Sequence, residues 1–233
     1  MLTIYEIGLI LVIIIVFLAL GTIWYKRTHY DAVEEFENVW NNSVRVVPLN
    51  SHNDIEGFSN TIAVKASDGS TYNVSKSYNN KQLAADILAD VHRRNLLLIK
   101  HLQQCCPNKT VTKNLVKRYS KRGLFEIDPK EGEKGAIAYS LKKGKEFGLC
   151  VRNSTNPDTW SPADMNAIEH VAIHELAHIG STSYGTIGNP HNKEFRDNFA
   201  FLLHEADKIG VYKITDFSKN PTTMCGKEIV DKM

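Results

Sequence analysis

Residues 174–178 read HELAH, and residues 189–195, NPHNKEF, follow after a short interval. On an α-helix, residues four apart lie one above the other, so His174 and His178 can bind one metal ion while Glu175 lies beside it. This spacing is typical of zinc-dependent peptide hydrolases, in which the glutamate is the general base.

The residues around the motif predict a helix. Ser161 as N-cap, Pro162 at the first helical position and Asp164 in the first turn indicate its start, and Gly180 indicates its end. Apolar residues recur along one side at three- and four-residue spacing: Met165, Ile168, Ala172, Leu176 and Ile179. We expect that side to pack and the opposite side to carry the metal site. The alternative is a surface helix with incidental histidines.

A catalytic zinc ion needs three protein ligands and one open position. We predict His191 as the third ligand, because it precedes a second helix that Asn192 caps and Gly210 ends. The apolar side of that helix comprises Phe195, Phe199, Leu202, Ala206 and Ile209. Tyr184, Glu194 and Glu205 are competing ligands, with Glu194 the next candidate.

Two other histidines are assigned different roles. His170 lies one turn before the motif, where a structural or supporting role is favoured over ligation. His204 falls off the apolar side of its helix and is expected to be solvated.

The chain upstream of the motif predicts a small sheet and one long helix. Residues 135–141 and 146–152 flank a Lys-Lys-Gly-Lys turn as a hairpin, and residues 61–65 and 71–74 flank a second turn. Residues 81–104 have the apolar spacing of a helix. The edge of the first hairpin could hold an extended peptide by strand addition, or the hairpin could only support the zinc helix.

Residues 7–25 are nineteen residues without a charge, long enough for a membrane-spanning helix. We favour a retained anchor over a cleaved signal peptide, because the start is not basic and the apolar core is long. Trp24 and Tyr25 fit the interface, and the following Lys26 and Arg27 place the C-terminal part in the cytosol. The membrane could belong to a host cell or a virion.

Charge and cysteine content constrain the compartment and the partners. The four cysteines, of which Cys105 and Cys106 are adjacent, predict no disulfide framework and a reducing compartment. The 28 basic and 26 acidic residues nearly balance, so the protein has no strong overall electrostatic field. Basic clusters at residues 93–94, 113–122 and 142–145 predict a solvated face, with anionic lipid headgroups or nucleic acid as alternative partners.

The HELAH stretch, the variable loop and the NPHNKEF helix start together resemble the SprT-like and WLM zinc metallopeptidases, especially the WLM-like proteins of large DNA viruses. The resemblance covers about residues 60–210. It implies zinc bound by His174, His178 and His191, Glu175 as catalytic base, and protein substrates, which in SprT-like relatives are often bound to DNA. Two features of the sequence narrow the resemblance. Tyr184 occupies the place where several WLM proteins have their third histidine, so the longer SprT-like spacing to His191 is expected. Ser181 stands where the metzincin pattern has glycine, which argues against a metzincin.

We therefore predict an α+β, zincin-like minimal metallopeptidase domain with an active-site helix, a following packed helix and a small antiparallel sheet. Residues 1–25 are predicted as a transmembrane anchor, 26–43 as a stalk, 44–210 as the zinc metallopeptidase-like domain and 211–233 as a loosely ordered C-terminal tail. The alternatives are a membrane-tethered structural or binding protein with a non-catalytic zinc site, and a metal-dependent hydrolase of a non-peptide substrate.

Overall fold

The computed structural model describes residues 60–127, 136–183 and 191–230. In this part of the chain helices and strands are mixed, which confirms the α+β class. The helices are α1 (Lys81–Cys105), α2 (Thr110–Arg118), α3 (Met165–Gly180) and α4 (Lys193–Lys208). The strands are β1 (Thr61–Lys65), β2 (Thr71–Ser75), β3 (Leu124–Glu126), β4 (Ala138–Leu141), β5 (Glu146–Leu149), β6 (Thr222–Met224) and β7 (Lys227–Ile229).

The main sheet has five strands in the order β1-β2-β3-β5-β4. Both predicted hairpins are present, since β1 pairs with β2 and β4 with β5 in antiparallel orientation. The expectation of an antiparallel sheet is nevertheless wrong, because β3 inserts between the hairpins and pairs parallel with both β2 and β5. Strand β4 consequently forms one outer edge of the sheet.

A buried ion pair joins the three central strands. Glu126 of β3 accepts hydrogen bonds from the Ser75 backbone N–H of β2 at 2.9 Å and from Arg152 Nη2, just after β5, at 3.0 Å. The Arg152 guanidinium also donates to the Asn79 carbonyl at 3.1 Å. Its carbon lies 4.3 Å from the ring centroid of Tyr78 and 3.8 Å from that of Trp160. Every strand of the parallel part of the sheet is therefore tied to one buried charge pair.

Helix α3 carries the HELAH motif through the centre of the domain. Its N-cap is Asp164, whose side chain accepts from the Ala167 N–H at 2.9 Å, so the helix starts later than the predicted Ser161 cap. The preceding Pro162 instead forms a β-bridge with Arg152, which keeps the chain extended there. Nearly every side of α3 is buried rather than one apolar side alone.

Glycines allow close packing at the C-terminal end of α3. Gly180 is the last helical residue, and a Cβ there would lie 2.6 Å from Val111 Cγ2 of α2. In the turn between β4 and β5, Gly144 has a φ of +89° and lies against Ile179. Both contacts bring neighbouring elements against the helix that carries the motif.

The predictions for α1 and α4 are close to the structure. Helix α1 was predicted at residues 81–104 and is observed at Lys81–Cys105. The Asn192 side chain caps α4 by accepting from the Phe195 N–H at 2.9 Å. Gly210 follows the helix with a φ of +72°, which is the left-handed geometry expected at a helix end.

The segment after Gly210 belongs to the packed domain, so the predicted boundary at residue 210 is too early. Tyr212, Phe217 and Met224 are buried, and β6 and β7 form a hairpin. A disulfide joins Cys150, next to β5, to Cys225 in the turn of this hairpin. The expectation of no disulfide is therefore wrong. The two cysteines are 75 residues apart, and only the fold brings them together.

The N-terminal predictions fall on residues outside the described part of the chain. These are the anchor, whose apolar core is residues 7–25, and the stalk at residues 26–43. Within residues 60–127, 136–183 and 191–230, none of the helices is both long and apolar enough to cross a bilayer.

Glu169 of α3 is a buried carboxyl whose two oxygens have no hydrogen-bond partner among the described residues. Burial raises its pKa to about 8, and Arg94 opposes this shift only in part. The guanidinium groups of Arg93 and Arg94 are both bound to Asp90. Glu169 is therefore held in its neutral form at and below neutral pH.

This burial predicts a pH-dependent stability. The folded state binds the Glu169 proton more tightly than the unfolded state, so stability falls as pH rises from 4.5, the ordinary pKa of a glutamate, to about 8. We expect Glu169→Gln to match the wild type near pH 4.5 and to exceed it above pH 8, by on the order of a few kcal/mol. Urea unfolding at both pH values measures this difference. Glu228→Gln, an exposed carboxyl, is the control. If the difference in free energy of unfolding between wild type and Glu169→Gln were the same at both pH values, the prediction would be wrong.

Candidate metal centre

Three histidines converge at the C-terminal half of α3. His174 and His178 lie one turn apart on the helix, and His191 precedes the N-cap of α4. One ring nitrogen from each lies within 4.8 Å of the other two. The Nε2 atoms of His174 and His191 are 3.1 Å apart. Two imidazole nitrogens that face each other so closely must share a proton or a cation, and three imidazoles are a donor set that fits zinc.

Phe195 of α4 packs against all three imidazole rings. Its ring centroid lies 4.8 Å from that of His174, 4.2 Å from that of His178 and 4.6 Å from that of His191. The packing of α4 on α3 thus restricts the orientations that the rings can adopt. The apolar side chain also keeps water from one side of the cluster.

The environment of His178 keeps its ring neutral. Burial, together with the smaller effects of the nearby His191 and Lys143, lowers its pKa to about 4. A neutral imidazole has a lone pair available for a metal ion at physiological pH.

Glu175 is buried beside the histidine cluster. Burial raises the pKa of its carboxyl to about 7, and the backbone and hydroxyl groups of Ser140 act in the opposite direction. Ser140 belongs to the edge strand β4, so the carboxyl of Glu175 lies where the histidine helix packs on the outer strand of the sheet. A carboxyl with a pKa near neutrality can both accept and donate a proton.

Two basic residues bind the C-terminal carbonyls of α3. Arg118 Nη1 donates to the carbonyls of Ile179 and Ser181, each at 2.8 Å. Lys143 Nζ donates to the Ser181 carbonyl at 3.0 Å. Cations at this end of a helix bind the carbonyls that have no partner within the helix, and they interact favourably with the helix dipole. Both residues come from clusters that were predicted as solvated faces, and here they hold the motif helix in place.

The other predicted candidates have different environments. Glu194 accepts from the Thr182 backbone N–H at 2.7 Å, and Glu205 lies in a second cluster with His101 and Cys105. His170 is buried and its Nδ1 lies 3.1 Å from Tyr212 Oη, which agrees with a structural role. His204 is exposed as expected. The remaining candidate, Tyr184, lies outside the described residues.

Sequence reasoning did not identify Ser140, Arg118 or Lys143 as neighbours of the site. No local pattern marks them, because each reaches α3 from a distant element. Phe195 was assigned to the packing side of its helix, and its contact with the histidines depends on how α4 crosses α3. The available signal was that Phe195 follows His191 by only four residues, in the first turn of α4.

No family model matches the chain. Over 151 residues it is 28% identical to "Uncharacterized protein R325" of Acanthamoeba polyphaga mimivirus, an alignment that covers 63% of this chain and 71% of the mimivirus protein. The crystal structure of Wss1 from Saccharomyces cerevisiae aligns with 59% of this chain and 88% of its own, with 22% identity and a TM-score of 0.43. That score is too low to establish a shared fold.

The cluster predicts the effect of removing its third histidine. We expect His191→Ala to weaken zinc retention by about tenfold or more, because two imidazoles remain where three converge. Competition with a chromophoric chelator measures the affinity. His204→Ala, which removes an exposed histidine outside the cluster, is the matched control. Equal zinc affinity in the His191 variant and the wild type would transfer the role of third ligand to another residue.

Proposed function

We propose that this protein is a zinc-dependent metallopeptidase, with zinc held by His174, His178 and His191. The observation that carries the proposal is the convergence of three imidazole nitrogens within 4.8 Å of one another, beside the buried carboxyl of Glu175. Three protein ligands leave a coordination position open, as hydrolytic zinc sites require.

Each group has a role in peptide hydrolysis. Zinc, when bound, supplies a Lewis acid that polarises the scissile carbonyl and makes a water molecule more acidic. Glu175 accepts the proton of the attacking water and later passes it to the leaving amine. Phe195 orients the imidazoles, and the hydrogen bonds from Arg118 and Lys143 hold the end of their helix.

The outer edge of β4 is the proposed binding site for an extended peptide. Strand β4 pairs with β5 on one side, and no described strand pairs with its other side. Ser140, in the middle of this strand, neighbours Glu175. A peptide added to the edge as a further strand would therefore place its backbone beside the proposed base.

The sequence resemblance to SprT-like and WLM metallopeptidases agrees with this proposal. Three of the residues that carry the resemblance, His174, His178 and His191, have ring nitrogens within 4.8 Å of one another, and Glu175 follows His174 directly in the sequence. The similarity to a mimivirus protein agrees with a viral origin.

The alternative, a structural zinc site, would need a fourth protein ligand. Two other donors near the motif in sequence, Glu194 and His170, have other contacts, since Glu194 binds the backbone N–H of Thr182 and His170 lies against Tyr212. A purely structural site also has no use for the buried base Glu175. These observations favour a catalytic site.

We further propose that residues 7–25 anchor the chain in a membrane. Lys26 and Arg27 favour a cytosolic domain by the positive-inside rule. The Cys150–Cys225 disulfide is the opposing observation, because disulfides persist mainly in oxidising compartments.

The proposed anchor predicts the behaviour of the chain in cells. We expect the full chain to remain with membranes after alkaline extraction and a chain lacking residues 7–25 to be released, because the apolar segment has been removed. Protease added to intact microsomes should degrade the domain if it faces the cytosol. If the domain is protected from the protease and its disulfide is intact, the domain lies on the opposite side of the membrane. If alkaline extraction releases the full chain, residues 7–25 are not a membrane anchor.

The proposed base predicts a separation of binding from turnover. Glu175→Gln should keep zinc at wild-type occupancy and lose hydrolysis by at least about a hundredfold, because the amide cannot accept the proton. Zinc content and cleavage of an unfolded protein such as casein are measured on the same full-length samples in detergent. Glu228→Gln, which changes an exposed carboxyl outside the cluster, is the control. Unchanged cleavage in Glu175→Gln would remove this residue from the mechanism, and cleavage of esters alone would favour a non-peptide substrate.

A further inference from the structure

A second cluster of metal-ligating side chains lies between α1 and α4. His101 and Cys105 are four residues apart on α1, so both side chains lie on the same side of that helix, and Glu205 faces them from α4. One nitrogen, one sulfur and one oxygen of the three residues lie within 4.8 Å of one another. His101 Nε2 is 2.7 Å from Glu205 Oε2, and Cys105 Sγ is 3.8 Å from the same oxygen.

The carboxylate of Glu205 is buried and charged. Its side chain is 7% exposed. Burial on its own raises the pKa of this carboxyl, but hydrogen bonds from Lys208 and His101 outweigh that effect and lower it. Lys208 Nζ contacts the other oxygen, Oε1, at 2.7 Å. Oε2 is therefore the oxygen that faces the imidazole and the thiol.

The donor set is suited to zinc. Imidazole, thiolate and carboxylate are the three side-chain ligand types that zinc accepts, and ligand atoms around a tetrahedral zinc ion are separated by roughly 3.2–3.7 Å. The Cys105 sulfur is already near that distance from Glu205, and the imidazole needs to withdraw by only about half an ångström. His101 and Cys105 both reach solvent, which gives an ion a path to the site.

Binding has an energetic cost at the thiol. Burial of the sulfur, together with the neighbouring Cys106 and Glu205, raises the pKa of Cys105 to about 12, so an ion must displace its proton. Zinc does so in cysteine sites, because the thiolate is the ligand.

We propose that His101, Cys105 and Glu205 form a second zinc site, separate from the histidine cluster. His191 and Glu205 are fourteen positions apart in the sequence, almost all of them in α4, which corresponds to about 20 Å along a helix. An ion here would link the C-terminal end of α1 to the C-terminal half of α4. The proposal does not depend on catalysis at the first cluster.

Cobalt substitution distinguishes the two sites. The full chain in detergent, stripped of metal and titrated with Co²⁺, should bind two equivalents and show a near-ultraviolet thiolate-to-cobalt charge-transfer band. The three-histidine cluster contains no sulfur, so the band reports the second site alone.

Variants assign the band to residues. Cys105→Ser should bind one equivalent and lose the band, whereas Cys106→Ser, which changes the adjacent free cysteine, should keep both. His191→Ala should keep the band. Thermal unfolding without metal shows whether each variant folds. If Cys105→Ser does not fold, Glu205→Gln replaces it as the test and should likewise lose the band. A wild type without the band, or a band lost in Cys106→Ser and kept in Cys105→Ser, would overturn the proposal and leave only a hydrogen-bonded cluster.

Discussion

The buried pair of Glu126 and Arg152 is the interaction on which the arrangement of the domain depends. Glu126 receives hydrogen bonds from β2 and from Arg152, three residues after β5, so one carboxylate connects the three strands in the parallel part of the sheet. The loss of one partner of such a pair leaves an uncompensated charge in the core, at a cost of about 3–5 kcal/mol. The sheet order and the pair are therefore mutually dependent.

The position of the motif helix follows from this sheet. The backbone of Arg152 forms a β-bridge with Pro162, and this bridge fixes the position of the chain two residues before Asp164, the N-cap of α3. Helix α3 is then buried on nearly all sides. His174 and His178 are partly exposed, whereas Glu175 between them is buried. The same burial that holds the helix gives Glu175 its raised pKa and His178 its lowered one, so stability and site chemistry have one physical origin.

The elements that could be predicted from sequence are those with local signals. The spacing of apolar residues located α1, and the Asn192 cap and Gly210 located α4 almost to the residue. The two hairpins were recognisable from their turns. The histidines of α3 have a fixed helical spacing, and the Asn192 helix start indicated His191.

What could not be predicted depends on contacts between distant residues. Strand β3 has three residues, too few for a periodic pattern, and it converts two hairpins into one mixed sheet. Helix α2 was read as a basic cluster because few of its residues are apolar, yet its Arg118 caps α3. Cys150 and Cys225 gave no indication of pairing, since their separation of 75 residues carries no geometric information.

That disulfide also has a topological consequence. It closes a covalent ring that begins at β5, runs through both α3 and α4, and returns at the turn of the C-terminal hairpin. All three histidines and Glu175 are inside this ring. A single cut of the backbone anywhere within it opens the ring without releasing a fragment, so under non-reducing conditions a nicked molecule keeps its two pieces joined. For a protein proposed to hydrolyse peptide bonds, a cut made by a second copy would remain hidden until the sample is reduced.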